Sequence, residues 1–307
     1  MAQASSLDAA HPRFMNPPFP NTGVKTKSTV PALKVALVQM SVGFDKKKNI
    51  QVAVNAIYEA KKNGAQLVAL PECFNSPYGT KYFDEYSERV PAGETCAALS
   101  KAAADTGMCV VGGTMPEKCD SRLYNTCTVW DPKGTMIASH RKAHLFDIDI
   151  PGKITFRESE SLSAGNKITT FSYCGVKIGI GICYDIRFVE MATLMAKEGC
   201  SFLIYPAAFN MTTGPKHWEL LGRARANDLQ LYVALVSPAR DPKADYVAWG
   251  HTMLIDPWAK VEASLDEKPG LLYGTIDTKV VQDVRSQIPI RMQRRTDMYE
   301  TVNKTKS

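Results

Sequence analysis

The sequence predicts an α/β fold with mixed sheets, and two features of its patterning say so. From residue 33 onward, short runs rich in Val, Ile and Leu alternate with segments whose apolar residues recur at helical spacing. Turn-like stretches such as Trp130-Asp131-Pro132-Lys133-Gly134 join neighbouring runs tightly enough for antiparallel pairing, while the intervening helices favour parallel strands.

Residues 33–40 form the first apolar run. Asp45 then opens a helix that places Ile50, Val54, Ile57 and Tyr58 on one face, and Gly64 closes it. A strand over 66–70 follows at once. Further strands are expected over 108–111, 123–130, 135–140, 168–173, 176–182, 202–205, 231–236, 252–255 and 271–276. Helices are expected over 94–105, 187–197, 215–228 and 278–287. The second of these carries Phe188, Met191, Ala192, Met195 and Ala196 at helical spacing and stops at Gly199.

Length and composition bound what this fold can be. With 45% hydrophobic residues over 307 positions the chain can bury a large core, and the pattern favours one domain over 32–307. Residues 1–31 differ: five prolines, small polar residues and little periodicity read as a flexible leader. A cleaved organellar import signal is the alternative there, although Arg13, Lys25 and Lys27 are its only strong bases and no amphipathic face is evident. The net charge of +6 is scattered apart from Arg291, Arg294 and Arg295, with no basic stripe or nucleic-acid motif, so no nucleic-acid partner is expected. No apolar run is long enough for a membrane span. Eight cysteines, at 73, 96, 109, 119, 127, 174, 183 and 200, show no C-x-x-C pair. They read as reduced thiols, which points to the cytosol.

Cys183 is the cysteine that matters most. It ends the apolar run 176–182, and Tyr184, Asp185 and Arg187 after it begin a helical pattern. A thiol where a strand stops and a helix starts is expected to be exposed at the sheet edge, near backbone N–H donors and the positive end of a helix dipole. Equally, most free cysteines are small buried hydrophobes. Two more strand ends carry chemistry: Glu72 directly after the run 66–70, and Lys142 in the basic cluster after 135–140. An acid there is commonly a cap or turn former and a lysine commonly solvated. Together, though, a thiol, a carboxylate to take its proton and a fixed cation are the parts that thiol-based amide hydrolysis requires. A partner would have to raise the thiolate fraction of a thiol whose ordinary pKa is about 8.5. A Cys–His dyad using His144, His217 or His251 is open on the same residue types.

Three blocks then carry a family resemblance: residues 71–78 (Pro-Glu-Cys-Phe-Asn-Ser-Pro-Tyr), 140–147 (His-Arg-Lys-Ala-His-Leu-Phe-Asp) and 181–188 (Gly-Ile-Cys-Tyr-Asp-Ile-Arg-Phe). In type and order they resemble the signature blocks of the nitrilase, or carbon–nitrogen hydrolase, superfamily, and the similarity runs from about residue 33 to 299. The resemblance implies an αββα sandwich and a triad of Glu72, Lys142 and Cys183, in place of the Cys–His dyad. It makes Glu72 the general base, Cys183 the nucleophile, and Lys142 with the N–H of Tyr184 the oxyanion donors, through a thioester intermediate. Glu158, in Phe156-Arg157-Glu158-Ser159, matches an additional glutamate beside the lysine. No cofactor or metal is implied. One departure is Val189, where the family commonly has proline.

Residues around the triad, among them 206–210 and 212–218, are similar to the omega-amidase branch. This implies a small-molecule amide substrate, a short keto-dicarboxylate monoamide. Its distant carboxylate needs an anchor, for which Tyr78, Arg187, Asn210 and Thr213 are candidates by type and position; each would equally serve to stabilise loops, and Arg187 to pair with Asp185 or Glu190. A sister amidase acting on deaminated glutathione or an N-carbamoyl compound is the competing activity, and a non-catalytic binding protein on the same fold the competing class. The resemblance also implies a homodimer joined partly through the C-terminal stretch 294–299.

Overall fold

In the computed structural model of the protein, residues 32–306 are described. The expected leader, 1–31, lies outside them.

The chain builds two mixed sheets. In order, its first half forms β1 (Leu33–Gln39), α1 (Lys46–Lys62), β2 (Leu67–Ala69), α2 (Phe83–Tyr86), α3 (Glu94–Thr106), β3 (Cys109–Val111), β4 (Met115–Cys119), β5 (Arg122–Trp130) and β6 (Met136–Arg141). A hairpin of β7 (Asp147–Ile150) and β8 (Ile154–Arg157) leads to the second half. There β9 (Thr169–Tyr173), β10 (Val176–Ile180), α4 (Val189–Lys197), β11 (Phe202–Pro206), α5 (Gly214–Leu229), β12 (Tyr232–Val236), β13 (Met253–Ile255), β14 (Val261–Ser264), β15 (Gly270–Ile276), α6 (Thr278–Gln287) and α7 (Ile290–Gln293) follow. The first sheet runs β15-β1-β2-β3-β5-β4 with β6 also on β5; the second runs β14-β13-β12-β11-β10-β9. In each, parallel pairs occupy the centre and antiparallel pairs the flanks.

Strand alternation explains the layering. Along β1, Leu33, Val35 and Leu37 join the core shared with the second sheet, whereas Ala36 and Val38 join Ala53, Ile57, Leu99 and Ala103 of α1 and α3. Leu67 and Ala69 against Val68, and Cys109 and Val111 against Val110, divide in the same way. On the second sheet, Met191, Ala192 and Met195 of α4 and Trp218 and Ala226 of α5 pack into the core with the strands. The result is a four-layer αββα sandwich in which both sheets are covered on both faces. That is why the central strands read as continuous apolar runs.

Local signals place several boundaries where expected. Asp45 caps α1 by accepting the Lys48 N–H at 3.0 Å, and the 131–134 turn closes through Asp131 N–H to the Thr135 carbonyl at 2.9 Å. The helix expected from 187 begins at Val189, because Cys183–Arg187 forms a separate 3₁₀ turn before it. Val189 thus takes the first helical position, where a proline would be preorganised.

Candidate active site

Each of the three expected strand ends is held by backbone rather than left loose. After β2, Pro71 O accepts the Thr114 N–H at 3.1 Å, the Cys73 N–H reaches Thr114 Oγ1 at 2.8 Å, and the Phe74 N–H reaches the Thr114 carbonyl at 3.2 Å. Gly113, at φ +52°, fits only because it has no side chain: an added Cβ would stand 2.2 Å from Pro71 O. The loop after β3 therefore clasps the loop that carries Glu72. After β6, Lys142 is fixed on both sides, its N–H on the Asn125 carbonyl at 2.8 Å and its carbonyl under the Gly165 N–H at 2.8 Å.

After β10, Gly181 continues the parallel ladder to Ile204 at 3.2 Å and packs on Tyr205, where a Cβ would clash at 2.4 Å. Cys183 then adopts φ +44°, a left-handed conformation that a side chain rarely takes and that turns the thiol away from the strand line. Asp185 holds this turn. Its carboxylate accepts the Ile182 N–H at 2.9 Å and the His144 N–H at 2.9 Å, and lies 2.7 Å from His144 Nδ1 and 3.2 Å from His140 Nε2. Burial opposes ionisation of Asp185, but the hydrogen bonds from His140 and His144 hold its pKa below the ordinary carboxylate value. Since both histidines flank Lys142 in sequence, Asp185 also locks the thiol-bearing turn to the lysine-bearing segment. From the other side, Arg225 of α5 donates to the carbonyls of Ile186 and Arg187 at 2.9 and 3.2 Å.

These anchors bring Glu72, Lys142, Glu158 and Cys183 into one buried cluster. Lys142 Nζ lies 3.0 Å from Glu72 Oε1 and 2.9 Å from Glu158 Oε1, and all three side chains are fully buried. Asn125 Nδ2 adds a 2.9 Å bond to Glu72 Oε1, and the Ala208 N–H a 2.7 Å bond to Glu72 Oε2. The buried Cys183 thiol stands close enough to Glu72, Lys142 and Glu158 for the charge of each to act on it. Glu158 is oriented in turn by the Phe146 N–H at 2.7 Å and the Tyr78 hydroxyl at 2.8 Å.

Electrostatics set the resting protonation. Burial raises the Glu72 carboxyl above its ordinary value, Lys142 pulling the other way and Glu158 adding to the rise. Burial likewise pushes the Cys183 thiol well up, reinforced by Glu72, so the sulfur rests as a neutral thiol. Burial alone would discharge Lys142, yet Glu158 and Glu72 together push it well up and keep it an ammonium. The arrangement differs from the expectation of an exposed, thiolate-rich cysteine. Cys183 is only 3% exposed, and the two carboxylates beside it disfavour a further anion. What the site holds at rest is a neutral thiol beside a carboxylate and an ammonium.

An open cleft of about 850 Å³, its mouth included, reaches this cluster at Glu72, with Cys73 and Ala208 also in its wall. Tyr78, Tyr82 and Tyr246 add aromatic surface, and the 238–248 loop forms the opposite side.

Comparison with known proteins matches this architecture and site to a family. The model of the carbon-nitrogen hydrolase family matches residues 34–286. The chain belongs to the carbon-nitrogen hydrolase family. Among relatives of this carbon-nitrogen hydrolase, the omega-amidase NIT2 of Bos taurus is 53% identical over 267 residues, covering 87% of this chain and 96% of that protein. Omega-amidase NIT2 of Xenopus tropicalis is 54% identical over 271 residues, covering 88% and 98%. Of solved structures, Saccharomyces cerevisiae Nit3, described as a member of branch 10 of the nitrilase superfamily, superposes with a TM-score of 0.79 at 41% identity, over 86% of this chain and 97% of that one.

The hydrolase's other candidate residues fall in different places. Of the four proposed carboxylate anchors, only Tyr78 lines the cleft, and its hydroxyl is engaged by Glu158. Asn210 Oδ1 accepts the N–H groups of Thr212 and Thr213, both at 2.9 Å, and the Thr213 hydroxyl at 3.2 Å, which shapes the loop before α5. Arg187 pairs with neither Asp185 nor Glu190; its Nη1 lies 3.3 Å from His217 Nδ1 and its guanidinium 5.0 Å from the Phe209 ring. Tyr184 packs its ring at 5.3 Å from Phe146 and 5.5 Å from Phe188. Of the three histidines open to a dyad, His144 serves Asp185, His217 faces Arg187, and the His251 ring lies tilted against Trp249 at 4.4 Å.

Sequence reasoning missed Asn125, Asp185 and Tyr246. Asn125 had a signal, since Asn125-Thr126 interrupts an otherwise apolar strand and both are buried. Tyr246 had a fainter one: it sits in a connection between β12 and β13 that is longer than a hairpin needs.

Proposed function

We propose that this chain is an omega-amidase that hydrolyses the terminal amide of α-ketoglutaramate or α-ketosuccinamate, giving 2-oxoglutarate or oxaloacetate and ammonia. The observation that carries the reading is the convergence of Glu72, Lys142 and Cys183 at the base of a cleft. The relatives' shared name supplies the substrate class.

The geometry supports the following cycle. Glu72 takes the thiol proton as Cys183 Sγ bonds to the amide carbon, and the carbonyl oxygen becomes an oxyanion. Lys142 and the Tyr184 N–H stabilise that charge in a dry site, where fixed donors act most strongly. The carbon–nitrogen bond then breaks as Glu72 gives its proton to nitrogen, and ammonia leaves a thioester. Glu72 next deprotonates a water that attacks the thioester. A second tetrahedral intermediate collapses, the carbon–sulfur bond breaks, and the proton returns to sulfur. Glu158 keeps Lys142 charged and aimed throughout.

Ammonia release tests this directly. The wild-type chain should deamidate α-ketoglutaramate, Cys183→Ala should abolish turnover, and Lys142→Met should cost roughly 100- to 1,000-fold, as for loss of an oxyanion donor. Turnover confined to deaminated glutathione or N-carbamoyl compounds would overturn the substrate assignment.

Two further parts of the reading concern context. The eight free cysteines support a reducing, cytosolic setting, and no helix among the described residues is long and apolar enough to cross a membrane. The working unit is a homodimer, an assignment supported by exposed Val189, Met292, Met298 and Tyr299 at and beside the C-terminal segment.

A further inference from the structure

Two groups in the cleft wall have no part in the hydrolytic cycle. The first is Ser76, in the loop after β2. It is fully buried, lines the cleft, and its Oγ has no hydrogen-bond partner among the described residues. A hydroxyl kept dry and unpaired works against folding, so its retention calls for something that pairs with it when bound.

The second is Lys243, on the loop after β12. Its backbone N–H donates to Asp241 Oδ1 at 2.9 Å, but its ammonium makes no ion pair among the described residues. Most other polar groups of the wall are committed, and the wall's further carboxylate, Asp241, accepts the Lys243 N–H. Glu72 is bound to Lys142, Asp245 lies 2.6 Å from Lys81 Nζ and also accepts the Tyr82 hydroxyl, the Tyr78 hydroxyl serves Glu158, and the Tyr246 hydroxyl donates to the Ala208 carbonyl at 2.6 Å. An unpaired donor and an uncommitted cation therefore remain on two different loops of one cleft.

We infer that Ser76 and Lys243 form a carboxylate subsite that holds the end of the substrate remote from the scissile amide. This rests on the amidase reading and deepens it, since it assigns specificity for ω-monoamides of short dicarboxylic acids to two named side chains. A carboxylate bound there accepts the Ser76 hydroxyl and a charge-assisted bond from Lys243. An uncharged amide of similar length leaves the hydroxyl dry and the ammonium unused. Discrimination by such a site exceeds what apolar contacts alone provide, because the wrong substrate strands a buried polar group. The cation at the exposed mouth works as a point charge on a flexible stem, so its attraction weakens with salt.

The test compares kcat/KM for α-ketoglutaramate with kcat/KM for butyramide in the wild-type chain, Ser76→Ala, Lys243→Met and Lys243→Arg. The expected result is a ratio that falls at least tenfold in Ser76→Ala and in Lys243→Met, through a higher KM for the keto acid amide, while Lys243→Arg keeps most of it. The Tm of ligand-free Ser76→Ala should not fall, since its hydroxyl has no partner to lose. An unchanged ratio in either variant overturns the subsite, as does a loss expressed in kcat together with a lowered Tm, which marks a structural role. A wild-type chain that releases no ammonia from α-ketoglutaramate fails the amidase reading itself, whereas an active wild type with insensitive variants fails the subsite alone.

Discussion

Cys183 sits at a left-handed φ of +44° and is buried beside two carboxylates, a setting that stores strain in the backbone and keeps the sulfur protonated. In the proposed cycle, reactivity then depends on whether Glu72 is free to accept the proton. Because burial raises the Glu72 carboxyl above its reference value of 4.5, the base is lost by protonation at a higher pH than an exposed glutamate would be. The rising limb of kcat/KM against pH should therefore lie above 4.5, and a limb centred at or below that value would count against Glu72 as the base. Lys142 is pushed well above 10.5, so it stays charged and adds no falling limb below that pH. The three central residues were legible through the three sequence blocks that hold them, since singly an acid, a lysine or a cysteine after a strand is ordinary. Asp185 was not, since its four contacts come from 140, 144 and 182, and nothing local to Tyr184-Asp185 announces them. Asn210 and Thr213 show the reverse: their types suit a ligand, and they serve a turn.

Strands and helices with five or more periodic positions announced themselves, as β1, α1, β10, α4, α5 and β12 do. The short strands β2, β3 and β13 were also expected, whereas β4, β7, β8 and β14 and the short helices α2 and α7 were not. β4 contains Pro116 and Glu117 and exists because β5 pairs with it at the edge of the sheet, where a missing N–H does least harm. β7, β8 and β14 each have four residues, too few to show a period against the loops around them. The clasp between the loops after β2 and β3 was equally silent, although it positions the base. Gly113→Ala tests it. Alanine at φ +52° with its Cβ 2.2 Å from Pro71 O should cost about 2–4 kcal/mol, lowering Tm by roughly 5–10 °C. It should also reduce turnover roughly 10- to 100-fold by displacing Glu72. Gly64→Ala is the control: its φ is +81° but nothing lies within 4 Å of the added Cβ, so calorimetry should show about 1 kcal/mol of destabilisation with turnover unchanged.

Taken whole, the molecule covers both sheets with helices and leaves a group of exposed apolar side chains near the C-terminal end, at Ile288, Met292, Met298, Tyr299 and Val302, besides others such as Phe44, Leu220 and Trp258 elsewhere. Such exposure is unfavourable for a lone protomer. Light scattering at micromolar concentration should give about twice 33.8 kDa, and a mass near 33.8 kDa would rule the dimer out. The layered arrangement was partly legible, since continuous apolar runs announce strands covered on two faces, but which sheet faces which depends on contacts across the whole chain. The reacting groups divide along that same boundary: Glu72 and Lys142 follow strands of the first sheet, while Cys183 and Ala208 follow strands of the second. Neither slab alone holds a working reagent. On the proposed cycle the reaction exists only along their seam, so any loosening that slides one slab against the other switches the chemistry off.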